Sequence, residues 1–164
     1  MESELLQGLG SGSAGRVIVA RIAPGADLLL ALHDIVRRTE LPQGLILSGV
    51  GALQRAVFRN VRGLPKEFPV TDKDRLYLEI NQPLELLSLS GHISRQADGK
   101  PVVHAHFSAS TIRGDDVITL GGHLTARTIA SIKVTVAVLA LQDIAMQSVF
   151  DPLTQSEDLA IGQV

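Results

Sequence analysis

PLELLSLSGHISRQADGKPVVHAHFSAS, Pro83 to Ser110, decides the fold. Its first part, Pro83–Ser94, alternates: Leu84, Leu86, Ser88 and Ser90 fall on one face, against Glu85, Leu87 and Leu89 on the other. Period-two alternation is the signature of a strand. Gln96–Lys100 then carries an Asp-Gly pair, a turn signal. Pro101–Ser110 returns as a second strand rich in valine. Two such runs joined by a short turn predict an antiparallel hairpin.

Working outward, RVIVARI (Arg16–Ile22) reads as a strand. In the following segment Pro24-Gly25 marks a turn and Asp27 is placed to cap a helix. Leu28, Leu29, Leu32, Ile35 and Val36 then recur at helical spacing until Pro42, with His33 as an ordinary helix residue. Leu45–Val61 begins as a buried strand, is interrupted by Gly49 and Gly51, and resumes at Ala56-Val57-Phe58. Glycines there predict a bulge or a close backbone approach, although a ligand held by backbone amides is an alternative. Residues 63–75 read as a polar loop. VITLGGHL is a further short strand, and IASIKVTVAVLAL a long closing one. The sum is an α+β fold: one main helix packed on a mostly antiparallel sheet of six or seven strands. Residues 1–15, with GSGSAG, read as a flexible N-terminal tail, 16–150 as the domain, and 151–164 as a C-terminal tail that wraps the surface or frays.

Three of the chain's five histidines lie between Val102 and Leu124. Residues two apart on a strand share a face, so His104 and His106 point one way while Val103, Ala105 and Phe107 point the other. His123 follows Gly121-Gly122, where the backbone can bend or pack closely. Three imidazoles without thiolates suit zinc or another first-row divalent ion, with one position left open for water or a ligand. The competing reading is half-exposed polar decoration of a strand. His92 depends on the loop. An odd loop sets it opposite His104 on the same face, and an even one turns it away; the reading here leaves it outside the site.

The totals narrow the classes. The chain has 164 residues, 45% apolar and only 3% aromatic, so the core is aliphatic. That surplus of aliphatic side chains favours a homo-oligomer. A net charge of −2, with Arg55, Arg59 and Arg62 spread as solvated surface charge, does not give the electrostatic footprint of a duplex binder. No G-x-S-x-G elbow or phosphate loop occurs. No cysteine is present, which suits a reducing cytoplasm. No targeting segment is evident. The most apolar window, Ile129–Met146, contains Lys133, Gln142 and Asp143 and reads as a buried strand, not as a membrane span.

LILSGVGALQRAVFRN, LELLSLSGHIS, DGKPVVHAHFS and GGHL, in that order, resemble the PPC ("plants and prokaryotes conserved") domain over roughly residues 16–150. The resemblance implies an antiparallel sheet with packed helices, a homotrimer, and a metal site at His104, His106 and His123. Plant members follow AT-hook segments of R-G-R-P type that enter DNA, and prokaryotic members are commonly labelled DNA-binding through that association. This sequence holds no R-G-R-P, so direct DNA contact is not expected. Self-association and contacts with a small molecule or protein partner are. Many prokaryotic relatives have a Glu in the last strand where this chain has Lys133. The expected function is a trimeric metal-binding and ligand-binding module. The alternative is an enzyme using a zinc-activated water, for which Glu85 and Asp116 are candidate bases by nearness in sequence alone.

Overall fold

The computed structural model describes residues 5–63, 65 and 67–163. Its elements run β1 (Ser13–Ile22), α1 (Leu28–Arg38), β2 (Gly44–Val61), a short 3-10 turn (Asp72–Asp74), β3 (Arg75–Ile80), β4 (Leu84–Arg95), β5 (Pro101–Arg113), β6 (Asp116–Leu124), β7 (Ile129–Gln142), β8 (Ile144–Asp151) and β9 (Ser156–Gln163). The α+β reading with one helix holds among the described residues, but nine strands form instead of six or seven. The three additions have separate causes. β3 lies in RLYLEI, directly after the loop, and pairs with the end of β2 from Ala56↔Ile80 to Val61↔Arg75. The apolar window breaks at Asp143, whose φ of 61° turns the chain and starts β8. The segment read as a C-terminal tail is β9, paired with β8 along its whole length, from Ile144↔Gln163 to Asp151↔Ser156. Asp151 holds the turn between them by accepting from the Leu153 and Thr154 amides. At the other end, β1 starts at Ser13, three residues before the strand read from the sequence.

The α1 helix follows its pattern. Asp27 caps it by accepting from the Leu30 amide at 3.1 Å, and Leu28, Leu32 and Val36 are buried at i, i+4 and i+8. The cap costs about 1 kcal/mol to remove. The helix ends at Arg38, and Glu40 adopts a left-handed φ of 51° before Pro42.

β2 organises the sheet. Its first half pairs with β4 and β7, its second with β3 and β6. With the β4–β5 and β5–β6 pairings, this closes a ring β2–β4–β5–β6. The change of partner falls between Leu53 and Ala56, just after a register shift with β7 that begins at Gly51. The φ of Gly51 is 144°, and a Cβ there would sit 1.9 Å from the Lys133 carbonyl oxygen. Gly51 therefore exhibits the close backbone approach, whereas a Cβ on Gly49 would meet the Leu89 side chain. The core is aliphatic, as composition requires, with one aromatic pair: Phe58 stacks on Phe107 at 4.6 Å.

The β4 alternation also changes phase. A bulge between Leu86 and Ser88 shifts the register with β5. Leu84 and Leu86 are buried before it, and Leu89 and Ile93 after it. The serines that the sequence pattern put beside Leu84 and Leu86 instead face outward, where Ser88 Oγ and Ser108 Oγ meet at 2.8 Å.

Candidate metal centre

The β4–β5 turn fixes the first part of the site. Arg95 pairs with Pro101, so the loop is the five residues Gln96–Lys100, an odd number. Gly99 takes a φ of 83°, and the Lys100 amide donates to Asp98 Oδ1 at 3.0 Å. An odd loop places His92 directly opposite His104. The two rings lie 5.0 Å apart on the outer face. The alternative left open by the loop length is thereby decided: His92 shares the face of His104, although it is not one of the three converging rings.

Ala105 and Phe107 point into the core, and His104 and His106 point outward, as the strand period requires. β6 then sets His123 opposite His106. Gly122 makes this possible. A Cβ on it would lie 2.7 Å from Asn60 Nδ2 and 2.9 Å from the Arg59 carbonyl oxygen, so only glycine lets β2 approach β6 here. Asn60 Nδ2 seals that approach by donating to the Gly121 carbonyl at 3.0 Å.

The outcome is a cluster of three imidazoles. His104, His106 and His123 each offer a ring nitrogen, and these nitrogens all lie within 4.8 Å of one another. His104 Nε2 and His106 Nε2 are 3.2 Å apart. Two nitrogens bound tetrahedrally to one zinc at ~2.05 Å sit about 3.4 Å apart, so this pair already has near-ligand spacing. Ring centroids of His123 lie 4.8 Å from His104 and 5.1 Å from His106, both edge-on. The donor set fits a divalent ion that accepts nitrogen ligands.

The electrostatics favour the ligand form. Burial first, then the Arg59 guanidinium and the neighbouring rings, push His123 down to about 3. Burial, followed by the charges of His92, His106 and Arg59, also lowers His104, with Asp158 opposing. His92 is lowered by burial against the same aspartate. A neutral imidazole is the form that binds metal, so no proton has to be displaced from His104 or His123 at neutral pH.

Two cavities flank the cluster. One of about 310 Å3 is lined by His92, His104, His123, Ser148, Glu157 and Asp158 among others. The other, of about 500 Å3, is lined by Arg59, Arg75, His104, His106, His123 and Glu157 among others. Glu157 reaches both, and its carboxylate accepts from Ser148 Oγ at 2.7 Å. Neither Glu85 nor Asp116 lines either cavity: Glu85 pairs with Ser110, and Asp116 with Arg113 at the far end of β5. Lys133 also lines neither. Glu157, Asp158 and Arg59 were not identified from sequence. The acids lie in a segment that reads as a tail, and only the β8–β9 pairing carries them to the histidines. Arg59 reads as one surface arginine among three until the β2–β6 register sets it opposite His123.

An outward-facing histidine cluster on a mostly antiparallel sheet, with one α-helix among the described residues, describes a small β-rich domain, and comparison gives its family. The chain belongs to the Plants and Prokaryotes Conserved domain family, whose model matches residues 9–142. A metal-containing protein of Archaeoglobus fulgidus superposes with a TM-score of 0.72 at 27% identity, covering 92% of this chain and 96% of that one. A plant- and prokaryote-conserved protein of Pyrococcus horikoshii gives 0.73 at 23% identity, covering 91% and 94%. A candidate DNA-binding protein of Bacteroides thetaiotaomicron gives 0.68 at 17%, covering 90% and 96%. No curated protein matches the chain. Among the described residues no helix is long and apolar enough to cross a membrane.

Proposed function

We propose that this chain is a homotrimeric metal-binding module of its family, with His104, His106 and His123 holding one divalent ion, zinc by preference. The observation that carries the reading is the convergence of three ring nitrogens within 4.8 Å on one sheet face. The likeness to a metal-containing archaeal protein over 92% of this chain supports it. An ion held there supplies an electrophilic position that the three side chains leave open. The module then binds a small molecule or protein partner in the reducing cytoplasm.

The trimer is supported by an apolar outer face. Val17 and Val19 of β1 and Leu45, Leu47 and Val50 of β2 are exposed. β7 joins the two strands, since Leu139 pairs with both Val17 and Leu45. A contiguous apolar face of this kind is what subunits bury. Direct DNA binding is not part of the proposal: the net charge is −2, and Arg55, the arginine nearest Arg59 on the same strand, is bound to Glu79 at 2.8 Å.

The second reading, a metal-dependent hydrolase, gains one specific observation: Glu157 lines both cavities and is held by Ser148 as a candidate base. Metal analysis of protein purified without added metal tests the main proposal. About one equivalent per chain is expected, and His106→Ala should remove it while the trimer persists. Less than about a tenth of an equivalent in the unaltered protein rejects the metal site. Loss of chelator-sensitive hydrolysis in Glu157→Gln, with metal retained, would establish the second reading.

A further inference from the structure

The larger of the two cavities carries the Arg59 guanidinium, to which no described residue supplies an ion pair. Arg59 stands opposite His123 in the β2–β6 register, and directly opposed residues on a sheet face are in side-chain contact range. It lines the cavity of about 500 Å3 together with all three clustered histidines. The neighbouring arginines are committed elsewhere. Arg55 pairs with Glu79 at 2.8 Å, Arg62 Nε donates to the Arg75 carbonyl at 3.0 Å, and Arg75 itself reaches Asp72 at 3.3 Å. The Arg59 side chain has no ion pair or hydrogen bond among the described residues. The one carboxylate on this cavity, Glu157, is engaged by Ser148 and is shared with the smaller cavity, which holds Asp158 and no arginine.

A half-buried guanidinium without a partner is costly and presents a planar fork suited to paired oxygens. A divalent ion on the histidines adds further positive charge to the same wall. The volume exceeds that of a bare inorganic anion and suits a small organic molecule, and Val61 and Val70 give the cavity an apolar side.

We propose that this cavity binds a small organic anion, its carboxylate or phosphoryl oxygens held between Arg59 and the cation on the three histidines, and its apolar body against Val61 and Val70. The inference rests on the metal reading above. It assigns Arg59 as a ligand-binding residue and distinguishes the two cavities by charge, with the anion on the arginine side.

Isothermal titration of the zinc-loaded full chain with hexanoate and, separately, with methyl phosphate tests it. At least one binds with millimolar or tighter affinity, and the tighter of the two identifies the oxygen chemistry. Arg59→Gln weakens that binding at least tenfold, with metal content and trimer unchanged. Arg59→Lys, which keeps charge but loses the fork, falls between the two, and Arg62→Gln leaves binding as it was. A metal-loaded protein that binds neither probe, or an Arg59→Gln protein that binds as tightly as the parent, overturns the anion site while the metal site stands. A chain that takes up no metal overturns both.

Discussion

Gly91 tests whether the spacing of β4 and β5 really places His104. A Cβ on Gly91 would lie 2.1 Å from the His104 carbonyl oxygen, 2.8 Å from Ala105 Cα and 3.0 Å from the His104 carbonyl carbon. All three are backbone atoms, so no side chain can swing aside. Reaching the 3.4 Å of ordinary contact requires β5 to retreat by about 1.3 Å at His104, one of the three proposed metal ligands. Overpacking of this kind costs ~1–3 kcal/mol, and the loss of ladder geometry places Gly91→Ala at the upper end. At this chain length each kcal/mol shifts Tm by roughly 2–4 °C, so a drop of about 6–12 °C is expected. Gly162→Ala is the control: it is also a strand glycine, but a Cβ there meets nothing within 4 Å. That variant should be neutral or slightly stabilising, because alanine restricts the unfolded chain. The assay is thermal unfolding by circular dichroism in chelator at one fixed protein concentration, followed by metal analysis of the folded variants. Gly91→Ala should also lose most of its metal, whereas Gly162→Ala keeps it. A Gly91→Ala protein that melts within about 1 °C of the parent would refute the close approach.

Phe58→Ala should destabilise the protein by about 3–5 kcal/mol, since Phe58 is 1% exposed and stacks on Phe107 directly behind the histidine strand; a urea midpoint near the parent's would contradict that role. Glu79 is held below the ordinary carboxylate value by the Asn81 amide first, then by Arg55 and Arg127, against an opposing desolvation. A lowered carboxylate stabilises the fold above its unfolded value near 4.5, and that contribution disappears as pH falls through the folded value. The stability gap between the parent and Glu79→Gln should therefore be complete at neutral pH and close on acidification; a gap that does not change with pH would count against the pairing. Leu47→Asp places a charge in the apolar outer face and should convert the proposed trimer to monomer in sedimentation analysis, and an intact trimer would move the interface elsewhere. In a gel-shift at about 150 mM salt no micromolar duplex binding is expected, and a tight, steeply salt-dependent complex would reverse that conclusion.

Much of this protein was legible in one dimension because strands and helices write their periods into the chain. The capped helix at Asp27, the Pro83–Ser110 hairpin and the outward pairing of His104 with His106 follow from spacing of 3.6 or 2 residues alone. The candidate ligand triad was also readable, since an H-x-H strand and a nearby glycine-flanked histidine are local patterns. Other features depended on contacts between distant segments. The β4 bulge reverses the outward face midway along a strand, and the five-residue loop turns His92 toward His104; both are matters of register, where one residue flips every side chain. Arg59 meets His123 across 64 positions of sequence only because Gly122 lets β2 close on β6. Glu157 and Asp158 arrive through a C-terminal hairpin too polar to announce itself as sheet. Sequence alone determined which side chains lie on the helix and on the strands with a clear apolar period; the closure of the sheet on itself decided which of them share a cavity, because that depends on strand register and backbone proximity, not on the identity of any single residue.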